Sequence, residues 1–267
     1  MVKIRQPAVA GTFYPAQPAR LRQMIEGFLA TAVPPKTPIP QPKALIAPHA
    51  GYIYSGPIAG SAYACLQQAA LTIRRVILLG PAHTMPLRGL AASSATAFAA
   101  PFGPTPLDQE AQQLAQTLPQ VRVLDEAHHQ EHGLEVHLPF LQQVLGATFE
   151  LVPLVVGSAT AVEVAEVLEL LWGDDTTLIV ISSDLSHYYD YETARRLDRA
   201  TAQAIETLDA DAIGREQACG RIPIQGLLQA AQHHHLRPVT LDLRNSGDTA
   251  GSKDRVVGYG AWAFAAS

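Results

Sequence analysis

Five runs of contiguous aliphatic residues, at 44–47, 76–79, 149–156, 178–181 and 239–243, constrain this chain more than any other feature. They are rich in Val, Ile and Leu and do not alternate with polar residues, the pattern of strands covered on both faces. A sixth run, 255–264, reads as a strand that closes the sheet. Between the runs apolar residues recur at helical spacing, over 57–70, 108–117, 139–145, 161–172, 191–208 and 226–235. In the 161–172 helix Thr160 and Glu163 stand at capping-box spacing. Its apolar face is Val164, Val167, Leu168 and Leu171, while Glu163, Glu166 and Glu169 form a solvated face. Strand and helix alternate from residue 43 onward. The fold class expected is α/β, one domain over 1–267 with a central, largely parallel or mixed β-sheet flanked by helices. At 267 residues the chain can bury a sizeable core. Ahead of the first run lie a Pro- and Gly-containing loop at 5–15 and an amphipathic helix at 18–30 carrying Leu21, Met24, Ile25 and Phe28. A Pro-rich surface connector follows at 33–42.

The net charge of -5, with no basic run, argues against a nucleic-acid partner. Two cysteines, Cys65 and Cys219, are too few for a disulfide framework and suit reduced thiols. No signal-peptide core follows Lys3 and Arg5, and no apolar stretch reaches the roughly 18–20 residues that span a bilayer. The expected location is the cytoplasm, with no membrane partner.

In open α/β sheets, ligands bind in the crevice beyond the carboxyl ends of the strands. Three polar clusters fall at such ends. The first is Pro48-His49-Ala50-Gly51-Tyr52-Ile53-Tyr54, after the 44–47 run. The second is Gly80-Pro81-Ala82-His83, after 76–79. The third is Ser182-Ser183-Asp184-Leu185-Ser186-His187, after 178–181. Imidazole is a favoured ligand for Fe, Zn, Cu and Ni, so His49 and His83 from neighbouring strands could meet at one ion that lacks a third donor. Asp184 and His187, three residues apart, can face one another across a turn, which makes His187 a candidate acid–base held by Asp184. No Gly-x-Ser-x-Gly elbow surrounds Ser183, which weighs against a serine hydrolase.

The densest polar cluster is 125–139, with four His and three Glu in a dozen residues. It is not a His-Glu-x-x-His helix, because Glu135 and His137 are two apart and cannot share a helical face. His128 and His129 read as members of an exposed polar loop. His132 and Glu135, next to the apolar run 134–141, read as acid–base groups or as groups that orient ligand imidazoles. Cys219-Gly220-Arg221 sets a thiol and a guanidinium beside a tight turn; the thiol is either buried packing or a nucleophile. Asn245-Ser246-Gly247-Asp248-Thr249 follows the 239–243 run and could bring Asp248 to the same crevice. His233, His234 and His235 sit at a helix end, where they complement the dipole.

Together, Pro7 to Pro15, Pro48 to Gly56, Gly80 to His83, Glu131 to Phe140, Ser182 to His187, Cys219 to Ile224 and Ser246 to Asp248 resemble the Memo family in order and spacing. In prokaryotes this family is also called AmmeMemoRadiSam system protein B. The resemblance runs from Arg5 to the C-terminus. It implies a fold similar to class III extradiol ring-cleaving dioxygenases, which hold Fe(II) with two His and a carboxylate. Eukaryotic Memo proteins are said to hold iron or copper through two His and a Cys. His49 and His83 match the imidazoles. Counting back from Tyr259 puts the thiol position on Thr249, so Asp248 is expected to complete the metal set. The resemblance thus implies a mononuclear site, Fe(II) foremost with Cu or Zn as alternatives, in a metal-dependent, dioxygenase-like oxidoreductase acting on a small aromatic or redox-active molecule. His187, Asp184, His132 and Glu135 are its expected catalytic groups. Tyr14, Tyr52, Tyr54, Tyr188, Ser183, Cys219, Arg221 and Thr249 are candidates for the pocket. Two other readings stand beside it, a non-catalytic binding or adaptor protein for a small molecule or peptide, and a zinc-dependent hydrolase. The family name also implies association with AMMECR-type and radical-SAM proteins.

Overall fold

Hydrogen bonding turns four of the five aliphatic runs into the middle of one mixed sheet. The computed structural model of the chain describes residues 3–35, 39, 41–146 and 148–266. Residues 36–38 and 40 of the Pro-rich connector lie outside the described residues. The chain opens with β1 (Ile4–Arg5) and α1 (Pro18–Ala30). β2 (Ala44–Ala47) passes through Pro48-His49-Ala50-Gly51 into α2 (Tyr52–Ala64), and β3 (Arg75–Pro81) follows. Short strands β4 (Leu90–Ala92), β5 (Ala97–Ala100) and β6 (Gly103–Pro106) precede α3 (Gln109–Ala115), β7 (Val121–Val123) and α4 (Glu126–His129). After a 3-10 turn at Glu135–His137 come α5 (Leu138–Leu145), β8 (Glu150–Val156), α6 (Ala161–Leu171) and β9 (Thr177–Ser182). The last elements are β10 (His187–Tyr189), α7 (Tyr191–Glu206), α8 (Arg221–His233), β11 (Leu236–Asn245) and β12 (Val256–Ala266).

The large sheet has the order β10-β12-β2-β9-β3-β8-β4-β7, with β11 paired to β12. Its centre, β2, β9, β3 and β8, is parallel, while β12 and β4 add antiparallel strands on either side. β1, β5 and β6 form a separate small sheet. The α/β class and the mixed sheet are as the sequence implies. The central strands are buried apart from Arg75 and Glu150, where β3 and β8 begin, so each face carries its own core. Leu45, Leu78 and Val180 point to the face covered by α1, α2 and α5. Ile46, Ile77 and Ile181 point to the other, against Val164 and Leu168 of α6 and Leu227 of α8. The capping box at Thr160 and Glu163 is formed.

Two helix starts differ from expectation. α2 begins at Tyr52 and carries Pro57 inside it, and α8 begins at Arg221 with Pro223 in its first turn. Pro223 is tolerated because the first N–H groups of a helix have no intrahelical partner, whereas Pro57, the sixth residue of α2, removes one helical hydrogen bond. Among the described residues no helix is long and apolar enough to cross a membrane. All four central strands end on the same edge, so β2, β3 and β9 deliver their polar clusters side by side.

Candidate metal centre

His49 leaves the end of β2 buried at 2% exposure. Its backbone N–H donates to Asp184 Oδ1 at 2.8 Å, which ties the β2 end to the β9 end. Its Nδ1 lies 2.6 Å from Ser182 Oγ. The Ser182 hydroxyl itself donates to the Gly133 carbonyl. A hydroxyl has one proton to give, so Ser182 must accept from Nδ1–H, which leaves the lone pair on His49 Nε2.

His83 is fixed by the same logic with a carboxylate in place of the hydroxyl. Glu131 accepts from His83 Nδ1 through Oε1 and from the His83 backbone N–H through Oε2, both at 2.7 Å. The Gly133 N–H adds a third bond at 2.8 Å. Burial alone would raise this carboxyl; the bonds from His83 and Gly133 outweigh it and hold it at about 2. His83 therefore also turns Nε2 outward. A Cβ at Gly133 would stand 3.1 Å from Glu131 Oε1, a tight contact, so the glycine leaves that oxygen room for its bonds.

The third imidazole is His132, between these two contacts on the α4–α5 loop. Its ring stacks on His83 with centroids 4.7 Å apart and lies edge-on to His49 at 5.6 Å. One donor atom from each of His49, His83 and His132 can be chosen so that all lie within 4.8 Å of one another. Burial, and then the neighbouring imidazoles, push His49 well below its ordinary pKa, and burial followed by His83 lowers His132. Neutral imidazoles with inward lone pairs are what a cation requires. Cys219, just ahead of α8, lies beside this group, its Sγ 3.4 Å from His49 Nε2, while the donors that all lie within 4.8 Å of one another are those of the three imidazoles. Burial, and then Asp184, push the thiol up to about 12. Without a cation it is not an activated nucleophile. Three imidazoles and a thiol suit a borderline or soft ion such as Fe, Zn or Cu rather than Mg or Ca. The residues present fit a bound metal.

Several expected site residues lie elsewhere. Asp248 is outside the His group. Its carboxylate accepts from Tyr191 OH at 2.5 Å and from the Asn245 N–H at 3.0 Å, closing the 3-10 turn Ser246–Asp248. Thr249 bonds back to Ser246 in that same turn. Neither Asp248 nor Thr249 is placed among the three imidazoles, and the sulfur beside His49 belongs to Cys219. Asp184 does not hold His187: it binds the His49 N–H, while His187 Nδ1 donates to the Leu185 carbonyl at 2.7 Å. Asp184 does face the centre, Oδ2 lying 4.0 Å from His49 Nε2, and burial raises its carboxyl. Glu135 serves the scaffold. It accepts from Tyr14 OH at 2.6 Å, Ala8 N–H at 2.7 Å and Val9 N–H at 2.9 Å, and pairs with Arg5. His128 is not a loop residue in solvent but is 2% exposed, on the Ala91 carbonyl; His129 is exposed as expected.

Of the aromatic candidates, Tyr14 and Tyr52 belong to the core, Tyr52 bonding the Val136 carbonyl, while Tyr54 and Tyr188 are exposed. Ser183 joins its turn to α8 by accepting from the Gly220 N–H at 2.9 Å. Arg221 lines a crevice of about 570 Å³ together with Cys219, Arg215, Met85 and Pro223. Glu131 and Ser182, which orient the two imidazoles, were not singled out by sequence reasoning. The signal available was their adjacency, Glu131 to His132 and Ser182 to the β9 end.

At the carboxyl edge of this α/β sheet three imidazoles come close enough together that they could hold a metal ion. A family profile described as Memo-like protein matches residues 5–263. A MEMO1 family protein of Aquifex aeolicus is 35% identical over 269 residues, 97% of this chain and 98% of the relative. One of Aeropyrum pernix is 38% identical over 285 residues, with 97% and 99% covered. One of Sulfolobus acidocaldarius is 36% identical over 278 residues, with 96% and 97% covered. The chain belongs to the Memo family.

Proposed function

We propose that this Memo-family protein binds one metal ion, Fe(II) foremost, through His49, His83 and His132 with Cys219 as fourth donor, and acts as an oxidoreductase on a small aromatic or redox-active molecule. The observation that carries the reading is the locked tautomer pair. Ser182 and Glu131 each occupy an Nδ1, so Nε2 of His49 and Nε2 of His83 are both left as donors. Carboxylates and hydroxyls in that position fix ring orientation and raise ligand basicity. A bound Fe(II) would supply one-electron and oxygen chemistry. The chain's own residues hold and orient the ligands, and Asp184 stands beside them as a carboxyl that burial biases toward the protonated form. The substrate would enter by the crevice of Arg221, Arg215 and Met85, which borders Cys219.

The test is metal analysis of untagged protein isolated without oxygen, paired with oxygen uptake over a panel of catechols. The proposal expects near-stoichiometric iron, lost in His49→Ala, and uptake that depends on it. Substoichiometric metal that the substitution leaves unchanged contradicts it. One observation favours a second reading, a zinc-dependent hydrolase. The third donor is an imidazole rather than the carboxylate of the dioxygenase set, and three imidazoles with an open position are a familiar zinc arrangement. Activity restored by zinc, with no oxygen uptake on the iron-loaded protein, would select that reading.

A further inference from the structure

Far from the sheet edge, α6 and α8 bring a second set of metal-binding side chains together. In the last turn of α6, Glu169 presents one oxygen to His233 Nδ1 at 2.9 Å and the other to His234 Nε2 at 2.8 Å. These three residues can offer donor atoms that all lie within 4.8 Å of one another. We propose that Glu169, His233 and His234 form a second cation site, for zinc, nickel or copper(II), which clamps the end of α8 to α6.

The packing of the two helices builds the site. A Cβ at Gly226 would meet Val164 Cγ1 at 2.4 Å, so α8 lies against α6 more closely than any larger residue permits. From that crossing both chains continue the same way for about one to two turns before Glu169 meets His233. The carboxyl ends of both helices therefore converge, and each contributes partial negative charge from its unpaired carbonyls. A cation placed there is stabilised by two helix ends as well as by the carboxylate. The His234 ring is held in place by Trp172, stacked at 3.7 Å with planes 7° apart. Tetrahedral coordination at about 2.0–2.1 Å spaces donor atoms roughly 3.3 Å apart. The present N–O distances need open by only about 0.5 Å to reach that spacing. Two imidazoles and one carboxylate, partly exposed, suit a borderline divalent ion and not magnesium. The site is also remote from the first: Cys219 precedes the amino end of α8 and His233 closes its carboxyl end, about 20 Å along a 13-residue helix.

Trp172 supplies the readout. The chain has two tryptophans, and the other, Trp262, is fully buried at 0% exposure. The full-length, untagged protein carrying His49→Ala and His83→Ala, which silence the first centre, is freed of metal and titrated with Ni2+ or Cu2+ alone. The proposal expects saturable quenching of tryptophan fluorescence at one equivalent, a higher Tm with Zn2+, and neither effect with Mg2+. Glu169→Gln and His234→Gln should each weaken binding by about tenfold or more, as one of three donors is lost. Trp172→Phe should abolish the quench while equilibrium dialysis still counts the ion. Quenching and Tm shifts that are identical in Glu169→Gln and His234→Gln would overturn the site, as would no saturable binding. If the double alanine background fails to fold, the same comparison is made on wild type against Glu169→Gln, with dialysis counting two ions against one.

Discussion

Glu131 and Glu135 stand one helical turn apart in sequence, both buried, and they do opposite jobs. Glu131 gives its oxygens to the His83 ring, the His83 N–H and the Gly133 N–H, all within the candidate centre. Glu135 gives its oxygens to Arg5, Ala8, Val9 and Tyr14, all in the N-terminal segment. The first orients a candidate ligand; the second fastens the start of the chain. Residue type and burial do not separate the two roles. The donors facing each carboxylate do.

The largest expected effect is on the scaffold side. Glu135→Ala leaves Arg5 buried without its partner, and breaking a buried ion pair costs about 3–5 kcal/mol. Urea denaturation should show that loss, while metal bound per folded chain stays near the wild-type value. Loss of metal with intact stability would erase the contrast. Glu131→Gln should do the reverse, weakening metal affinity by about 10–100-fold through the imidazole it orients. Equilibrium dialysis against competing chelator measures it, and unchanged affinity would remove Glu131 from the centre.

A smaller effect concerns pH. Burial holds His128 near 4 and His137 near 3, against 6.5 for an ordinary imidazole. Both are neutral when folded, and the unfolded chain protonates each of them below 6.5. Their contribution is complete above pH 6.5 and is lost progressively as pH falls toward the folded values. Unfolding free energies between pH 7 and 4 should decline with falling pH, and His128→Gln should flatten the slope. A slope unchanged by that substitution would contradict the assignment. The smallest effect belongs to Asp248→Asn, which should leave metal content at the wild-type level because the carboxylate only closes a turn; a loss of metal would return Asp248 to the ligand set.

The sheet was legible because each central strand is a contiguous aliphatic run, and the edge followed from the parallel order. His49 and His83 could be read as ligands from their places just past β2 and β3. What stayed hidden is tertiary. β1, β4, β5, β6, β7, β10 and α4 span two to four residues each, too few for any periodicity to register. The third imidazole comes from a loop, so no strand pattern points to it. The setting of Asp248 was not legible because position after a strand does not fix direction: β11 runs antiparallel to β12, and Asp248 closes the turn beyond its end. Cys219 enters ahead of α8, and its approach to His49 depends on the Gly220 turn bonding to Ser183. No spacing in the sequence encodes that contact.

X-ray absorption at the edge of the bound metal reads the proposed ligand shell most directly. The expected spectrum shows imidazole scattering together with a sulfur at about 2.3 Å, the sulfur lost in Cys219→Ala and the imidazole contribution reduced in His132→Ala. An oxygen-only shell, indifferent to both substitutions, would contradict it.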